Sequence, residues 1–420
     1  MPVIRVAHRS PGFQELLAVL LLATPAGAHA AWEIVPEVSV SAETNDNILL
    51  ESTNEQTGSR AALDAAVRFS SFGQRGNAYI RPRATTDQYS DPDTQSFESD
   101  DFFFEAGADY DWRLVGIGFR SEYSDELVLH SEITDAAPDD PDLDPDDGFP
   151  DPDTGRLTSY TERQERLDVR GNVDFRISER NVLRIEGGRQ DVAYTGAIDP
   201  QSGRSDIETN AVRMAILRRV DERNSLSARM TASEYHAERN DNTTDSVRIE
   251  GTFTRPLAPT WSMTLTAGVQ RSEYDFLNTN QVRISNAATT EVFSLGFRKR
   301  SERTSWNVDM GHRVQPNANG FLAVRDEVHL YATRQFGPRL TGEFGVRAYQ
   351  SATLDDVNTT DDRDFSRLEL MFEWALKPAL FIHFGAGRYT QQFVNETTIE
   401  ATANSIFTGI TYRGRSRQDQ

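Results

Sequence analysis

The sequence predicts an all-β protein, a transmembrane up-and-down antiparallel barrel of about eighteen strands. Three observations predict it. Segments of about ten residues alternate apolar and charged positions. The connections between them alternate between short turns and long loops. The 420-residue chain is only 37% hydrophobic, with a mean hydropathy of -0.57, so it has no apolar run long enough for a helical span.

The clearest segment is 166–190, RLDVRGNVDFRISERNVLRIEGGRQ. Leu167, Val169, Gly171, Val173, Phe175 and Ile177 share one parity, and Arg166, Asp168, Arg170, Asn172, Asp174 and Arg176 share the other. A polar turn, Ser178 to Asn181, reverses the chain, and Leu183 and Ile185 resume the alternation against Arg184 and Glu186. A strand of roughly 9–11 residues, tilted, crosses a bilayer.

The same pattern recurs along the chain. Trp32, Ile34, Val38 and Val40 open the first strand against Glu33, Glu37, Ser39 and Ser41. Ala61 to Phe69 and Ala78 to Thr86 form the next two, with Asp64, Arg68, Arg81 and Arg83 on the polar side. Phe102 to Trp112 and Val115 to Tyr123 precede the hairpin described above. Strands near 212–220 and 226–232 meet at Asp221-Glu222-Arg223-Asn224, and 247–257 meets 261–269 at Ala258-Pro259-Thr260. The pairs 293–297 with 306–314, 328–336 with 340–348, and 368–376 with 380–386 follow, and a last strand covers 402–412. The turns SERN, DERN and SERT repeat at hairpin spacing, as in a barrel grown from duplicated hairpins. Short turns are predicted at the periplasmic end and loops of roughly ten to thirty residues outside. Trp112, Trp261, Trp306, Trp374 and Phe336 lie beside short turns, whereas Tyr123, Tyr194, Tyr235, Tyr274, Tyr349 and Tyr389 lie where strands enter long loops. They read as two interfacial girdles.

Residues 1–30 read as a signal peptide: Arg5, His8 and Arg9 precede an apolar core, and Ala28-His29-Ala30 is an A-x-A site with cleavage before Ala31. The barrel is expected over 31–413 and a polar tail over 414–420, which places the protein in a Gram-negative outer membrane among its lipids. The chain has no cysteine, so disulfides and thiolate chemistry are excluded. A net charge of -21 argues against nucleic acid as a partner. Only Lys299 and Lys377 are lysines among the 44 basic residues, and planar guanidinium groups suit ladders of ion pairs with carboxylates.

The polar parity supplies the candidate pore-lining residues. They are Arg68, Arg81, Arg83, Arg120, Arg166, Arg170, Arg184, Arg213, Arg229, Arg248, Arg298, Arg325, Arg347 and Arg367, with Glu105, Glu186, Glu250, Glu343 and Glu369 among them. In a closed barrel these point inward. Two readings follow: cross-strand ion pairs that fill and stiffen the lumen, or a hydrated conduit with an arginine-rich wall for an anionic solute. The longest loop, 127–158, is rich in Asp and Pro. Its alternate aspartates Asp142, Asp144 and Asp146, with Asp153, suggest loose Ca²⁺ binding, although the spacing departs from an EF-hand and a solvated loop has the same composition. No cofactor is otherwise expected. His130, His236, His312, His329 and His383 lie in no motif with Ser and a carboxylate, so no enzyme is predicted.

The closing segment Asn404 to Tyr412, NSIFTGITY, resembles the carboxy-terminal signal read by the outer-membrane barrel-insertion machinery, although eight residues follow it. With the opening SVSAETNDNILL, the mature chain is similar to the β-barrel porin group associated with exopolysaccharide and exosortase-type gene clusters. That resemblance implies a passive outer-membrane conduit for a secreted polysaccharide, working with a periplasmic export component, and no catalytic residues. The residues themselves leave two alternatives: a general or weakly anion-selective diffusion porin, and a non-conducting structural or adhesive barrel. An inward-folded loop that narrows the pore would favour the diffusion porin.

Overall fold

A computed structural model of the chain describes residues 31–48, 50, 55–90, 97–128, 162–195, 204–238, 241–277, 283–317, 320–354, 362–393 and 399–414. The predicted signal peptide with Ala28 and Ala30, the aspartates Asp142, Asp144, Asp146 and Asp153, and nearly all of the carboxy-terminal tail lie outside the described residues; Ala31 is the first residue of the first strand.

Eighteen strands form one antiparallel sheet. In chain order they are β1 (Ala31–Asn45), β2 (Gly58–Phe72), β3 (Gly76–Ser90), β4 (Phe97–Asp111), β5 (Val115–Leu127), β6 (Arg163–Ser178), β7 (Asn181–Thr195), β8 (Ile207–Arg219) and β9 (Ser225–Ala237). The second half comprises β10 (Asn242–Ala258), β11 (Trp261–Leu277), β12 (Arg283–Arg300), β13 (Thr304–Pro316), β14 (Leu322–Gln335), β15 (Leu340–Thr353), β16 (Arg363–Lys377), β17 (Leu380–Phe393) and β18 (Ile399–Arg413). Each strand pairs with its sequence neighbours, and β1 also pairs with β18, Glu37 opposite Arg413 through Asn45 opposite Ser405. The sheet is therefore a closed barrel without free edges, the only β architecture that satisfies its backbone in lipid. All eighteen expected strands are present.

The register sorts side chains by parity. Val40, Leu63, Met214, Val212, Ile249, Val269, Leu370, Phe384 and Ile410 belong to one continuous face and are exposed, Ile406 by 71% and Val212 by 60%. In a soluble protein so much exposed aliphatic surface would drive association. On a closed barrel it is the lipid-facing belt, and the chain is an outer-membrane barrel of the Gram-negative type. The periplasmic aromatic girdle is also in place. Trp261 and Trp306 meet edge-to-face at 4.7 Å, Tyr110 and Trp112 at 4.5 Å, and Phe336 approaches Phe372 at 6.3 Å.

The repeated turn motif has a local cause. In SERN, Ser178 Oγ accepts hydrogen bonds from the backbone N–H of Arg180 and Asn181 and from the Asn181 amide. In DERN, Asp221 accepts the equivalent bonds from Arg223 and Asn224, and the Asn224 amide holds its carboxyl below the ordinary range. In SERN and DERN the first residue thus supplies the turn with its own acceptor, whereas in SERT the Ser301 hydroxyl donates to the Thr304 carbonyl at 2.8 Å.

Two expectations change. The strands run further outward than the apolar alternation indicated: β12 begins at Arg283 rather than Phe293, and only residues 238–241 separate β9 from β10. Several outer connections are consequently short. Above the bilayer the outward parity turns charged, with Arg189, Asp191, Glu208, Arg271 and Glu273 forming ion pairs there, so the hydropathy pattern ends before the hydrogen-bonded ladder does. The second change concerns the outer tyrosine girdle. Tyr194, Tyr235, Tyr274, Tyr349 and Tyr389 share the parity of the lumen arginines and are buried, at 5–7% exposure. Of the six tyrosines, Tyr123 alone has the outward parity of Leu167 and Phe104. The other five belong to an inner layer at the mouth.

Candidate pore lumen and its mouth

Every predicted pore-lining arginine and glutamate lies on the inward parity. Most form short cross-strand or two-apart pairs. Arg81 meets Glu105 at 3.3 Å, Arg83 meets Asp64 at 2.5 Å, Arg170 meets Asp168 at 2.6 Å, and Arg184 meets Asp174 at 2.8 Å. Arg213 pairs with Glu186 at 3.1 Å and Arg229 with Glu250 at 3.2 Å. Arg347 pairs with Glu327 at 2.8 Å and Arg367 with Glu369 at 2.5 Å. Arg248 donates to Gln270, Arg166 lies 4.0 Å from Asp168, Arg325 lies 4.0 Å from Glu327, and Glu343 accepts from Tyr331. Arg298 stands opposite Asn307 on the wall of β12 and β13.

The interior is not sealed by these pairs. Arg68, Arg120 and Glu122 point inward and are exposed, and neither arginine has an ion pair among the described residues. Arg68 lies over the Tyr79 ring at 5.2 Å, and Tyr79 itself rests on Gly107, where a Cβ would come within 2.4 Å of the ring. The glycine lets the ring lie flat against the wall and keeps that side of the lumen open. A barrel of this strand number leaves an aqueous channel unless something fills it.

Charge is distributed unequally around the wall. From β1 to β5 the inward positions carry Glu33, Glu37, Glu43, Asp64, Asp87, Asp101, Glu105, Asp109, Asp111 and Glu122 against Arg60, Arg68, Arg81, Arg83 and Arg120. From β6 to β17 arginines predominate, through Arg166, Arg170, Arg184, Arg213, Arg229, Arg248, Arg298, Arg313, Arg325, Arg347, Arg363 and Arg367, against Asp168, Asp174, Glu186, Glu250, Asp309, Glu327, Glu343, Glu369 and Glu373. An acidic wall thus faces a basic one across the water, and a field crosses the pore transversely.

The mouth is narrowed by connections that fold inward. The segment after β1 turns over the rim. Asp46 accepts from the Asn404 backbone N–H at 2.6 Å and from its amide at 2.8 Å, the Asn47 amide donates to the Thr402 carbonyl, and the Gln391 amide donates to the Leu50 carbonyl. Leu50 then belongs to a buried cluster with the inward residues Tyr349, Phe365, Tyr389, Ala401 and Ala403. Ile48 belongs to another, with Tyr89, Leu127, Val192, Tyr194, Ile207, Tyr235 and Ala237. Leu50 adopts φ 52° to make this turn, a conformation that costs a branched side chain roughly 1 kcal/mol or more and holds only where packing enforces it.

Two other connections reach the same layer. Arg204, between β7 and β8, is buried against Glu162 and stacks on Tyr194 at 5.7 Å. Gly320, between β13 and β14, accepts at its carbonyl from the Asn242 amide, and Phe321 meets Phe276 edge-to-face at 5.7 Å. Around the remaining arc, Arg325 stacks on Tyr349 at 3.5 Å, Arg363 lies over Phe365 at 5.0 Å and Arg367 over Tyr389 at 5.4 Å. These cation–π contacts fix the arginines beneath the rim. Gly320 has φ 84°, and a Cβ there would come within 2.4 Å of the Ala237 Cβ. Gly320→Ala is expected to cost about 1–3 kcal/mol at the mouth, seen as faster proteolysis of the outer connections while the barrel stays folded.

Of the histidines, His329 and His383 face inward and His312 outward, stacked on Phe293 and bonded to Asp326. Among the described residues no group of His, Asp and Glu is arranged to hold a metal ion.

No protein-family profile matches the chain, and no curated protein matches it. Among solved structures it is similar to OccK7 (OpdD) of Pseudomonas aeruginosa, with 12% identity over 91% of this chain and 98% of that one at a TM-score of 0.45. It is similar to OccAB4 of Acinetobacter baumannii, with 12% identity over 92% and 99% of the two chains at a TM-score of 0.43. It is also similar to the ferric citrate transporter FecA in the unliganded form, with 8% identity over 90% and 78% at a TM-score of 0.44. The association with exopolysaccharide gene clusters has no counterpart in these matches.

Proposed function

We propose that the barrel is an outer-membrane diffusion porin for small polar solutes with a weak preference for anions. The observation that carries this reading is the mouth, where three inward-folded connections pack on a layer of buried tyrosines above a charge-lined lumen. A conduit that threads a polymer needs a wide, smooth entrance, whereas a narrowed one admits small solutes. The arginine-rich wall from β6 to β17 favours anions, and the acidic wall opposite keeps that preference weak.

The test is ion conductance of the purified barrel in planar bilayers under a KCl gradient, with solute uptake into proteoliposomes. Steady conductance, a reversal potential on the anion side and uptake that falls with solute size are the expected results. A silent barrel, or uptake of long acidic glycans without size dependence, would overturn the reading.

A further inference from the structure

One stretch of the lumen wall differs from the rest. In the periplasmic half of β9 to β12 the inward side chains are mostly small hydroxyls, Ser227, Thr252, Thr254, Ser262, Thr264 and Ser294, beside the Arg229–Glu250 pair. Because these side chains are short, the wall is hollowed there into a recess of about 370 Å³. That volume lies at the lower end of small-molecule sites.

The hydroxyls form rows. Thr252 and Thr266 lie 3.0 Å apart and Thr254 and Thr264 3.4 Å apart. A hydroxyl pair uses one proton between its two oxygens, which leaves the second proton and several lone pairs for a partner in the lumen. Gly296 continues the hollow, and Asp309 Oδ1 would lie 2.7 Å from a Cβ placed there.

The recess is bordered by guanidinium groups on both flanks, Arg213 and Arg229 on one and Arg298 and Arg313 on the other, which outnumber the two carboxylates that also line it, Glu186 and Asp309. Arg213 and Arg229 each use part of their capacity on Glu186 and Glu250. With five N–H donors, Arg213 has capacity for a second acceptor beside Glu186. Hydroxyls in the floor and cations at the rim match a solute that carries both many hydroxyls and one negative charge.

Resting on the diffusion-porin reading, we infer that this recess is a weak binding site for small polyhydroxylated carboxylates of monosaccharide size, the class of the sugar acids. The carboxylate engages the flanking arginines, and the hydroxyl chain lies along the Ser and Thr rows. The recess lies toward the periplasmic end of the strands, near the short turns that follow β8, β10 and β12, so a solute held there is concentrated along its own diffusion path. That raises flux at low external concentration and saturates at high concentration.

The experiment is current block of single channels by three probes: gluconate, hexanoate, which keeps the charge and chain length without the hydroxyls, and glucose, which keeps hydroxyls without the charge. Gluconate is expected to block best. In Thr252→Val/Thr264→Val, chosen because Val keeps the β-branched shape of Thr, gluconate block should weaken about tenfold, the size expected for two lost hydrogen bonds. Hexanoate block and KCl conductance should not move. Heat-dependent mobility in SDS gels checks that the variant is folded. Ser294→Ala is the milder second variant, with a smaller loss in the same direction. Equal block by gluconate and hexanoate in the wild type, block by glucose as strong as by gluconate, or undiminished gluconate block in folded variants would each overturn the inference. The KCl reversal potential tests the porin reading separately, so an anion-selective channel without gluconate preference sinks only the binding site.

Discussion

Replacing residues 47–56 by a short Gly-Ser link is expected to raise single-channel conductance severalfold and to admit solutes that the wild type excludes. The segment carries the two apolar side chains that join the inner layer, Ile48 on one side and Leu50 on the other. It is fastened to β18 through the Asn47 side-chain amide and to β17 through the Leu50 carbonyl. Excision removes those contacts but spares the ladder between β1 and β2, which closes at Asn45 opposite Gly58. The barrel should therefore insert and keep its heat-dependent gel mobility. Its tyrosine layer would lose packing, so more current noise should accompany the larger conductance. Unchanged conductance in a folded variant would mean that the first connection is not what limits the pore. A milder change, Ile48→Asp, should act in the same direction, because a carboxylate cannot stay in an apolar cluster without a partner.

The strands were legible because lipid imposes a strict condition: every outward side chain in the belt must be apolar, and period-two alternation follows. That condition lapses above the membrane. On β12 the outward parity continues through Glu291 and Thr289 after Phe293, so the alternation ended where lipid ended and the ladder did not. The inner tyrosines were misplaced for a different reason. A tyrosine at a strand end suits an interface by composition, but parity decides its direction. Counting outward from Arg184 and Glu186 through Gly188, Gln190 and Val192 reaches Tyr194 on the same face, so the signal was present. Ile48 and Leu50 were visible too, in the apolar run Ile48-Leu49-Leu50 of an otherwise polar connection. What no pattern could show was which strands they would meet, since Ile48 joins residues from Tyr89 to Ala237 and Leu50 joins residues from Tyr349 to Ala403, all far away in the chain. The hydroxyl recess was equally hidden. Serine and threonine in a strand look neutral until the register sets Thr252 beside Thr266 and Thr254 beside Thr264.

Arg213→Gln/Arg229→Gln should move the reversal potential toward cations and change its sign. Each exchange removes one positive charge from the basic wall and leaves its partner, Glu186 or Glu250, without that arginine. At about 5 Å in water one unit charge acts on a permeating ion with roughly 0.8 kcal/mol, about a fourfold change in local concentration. It acts with opposite sign on anions and cations, so the two exchanges compound, and higher salt screens the effect. Loss of shape could mimic such a result, so the decisive control removes both members of a pair. Glu186→Gln/Arg213→Gln leaves the net charge of the wall unchanged and should keep the wild-type selectivity while losing the 3.1 Å contact. If both variants shift alike, the pair acts by holding the wall in place rather than by its charge. If the arginine variant shifts and the paired variant does not, the basic wall itself sets the preference. The shift should also shrink as KCl is raised, whereas a structural change would persist at all concentrations.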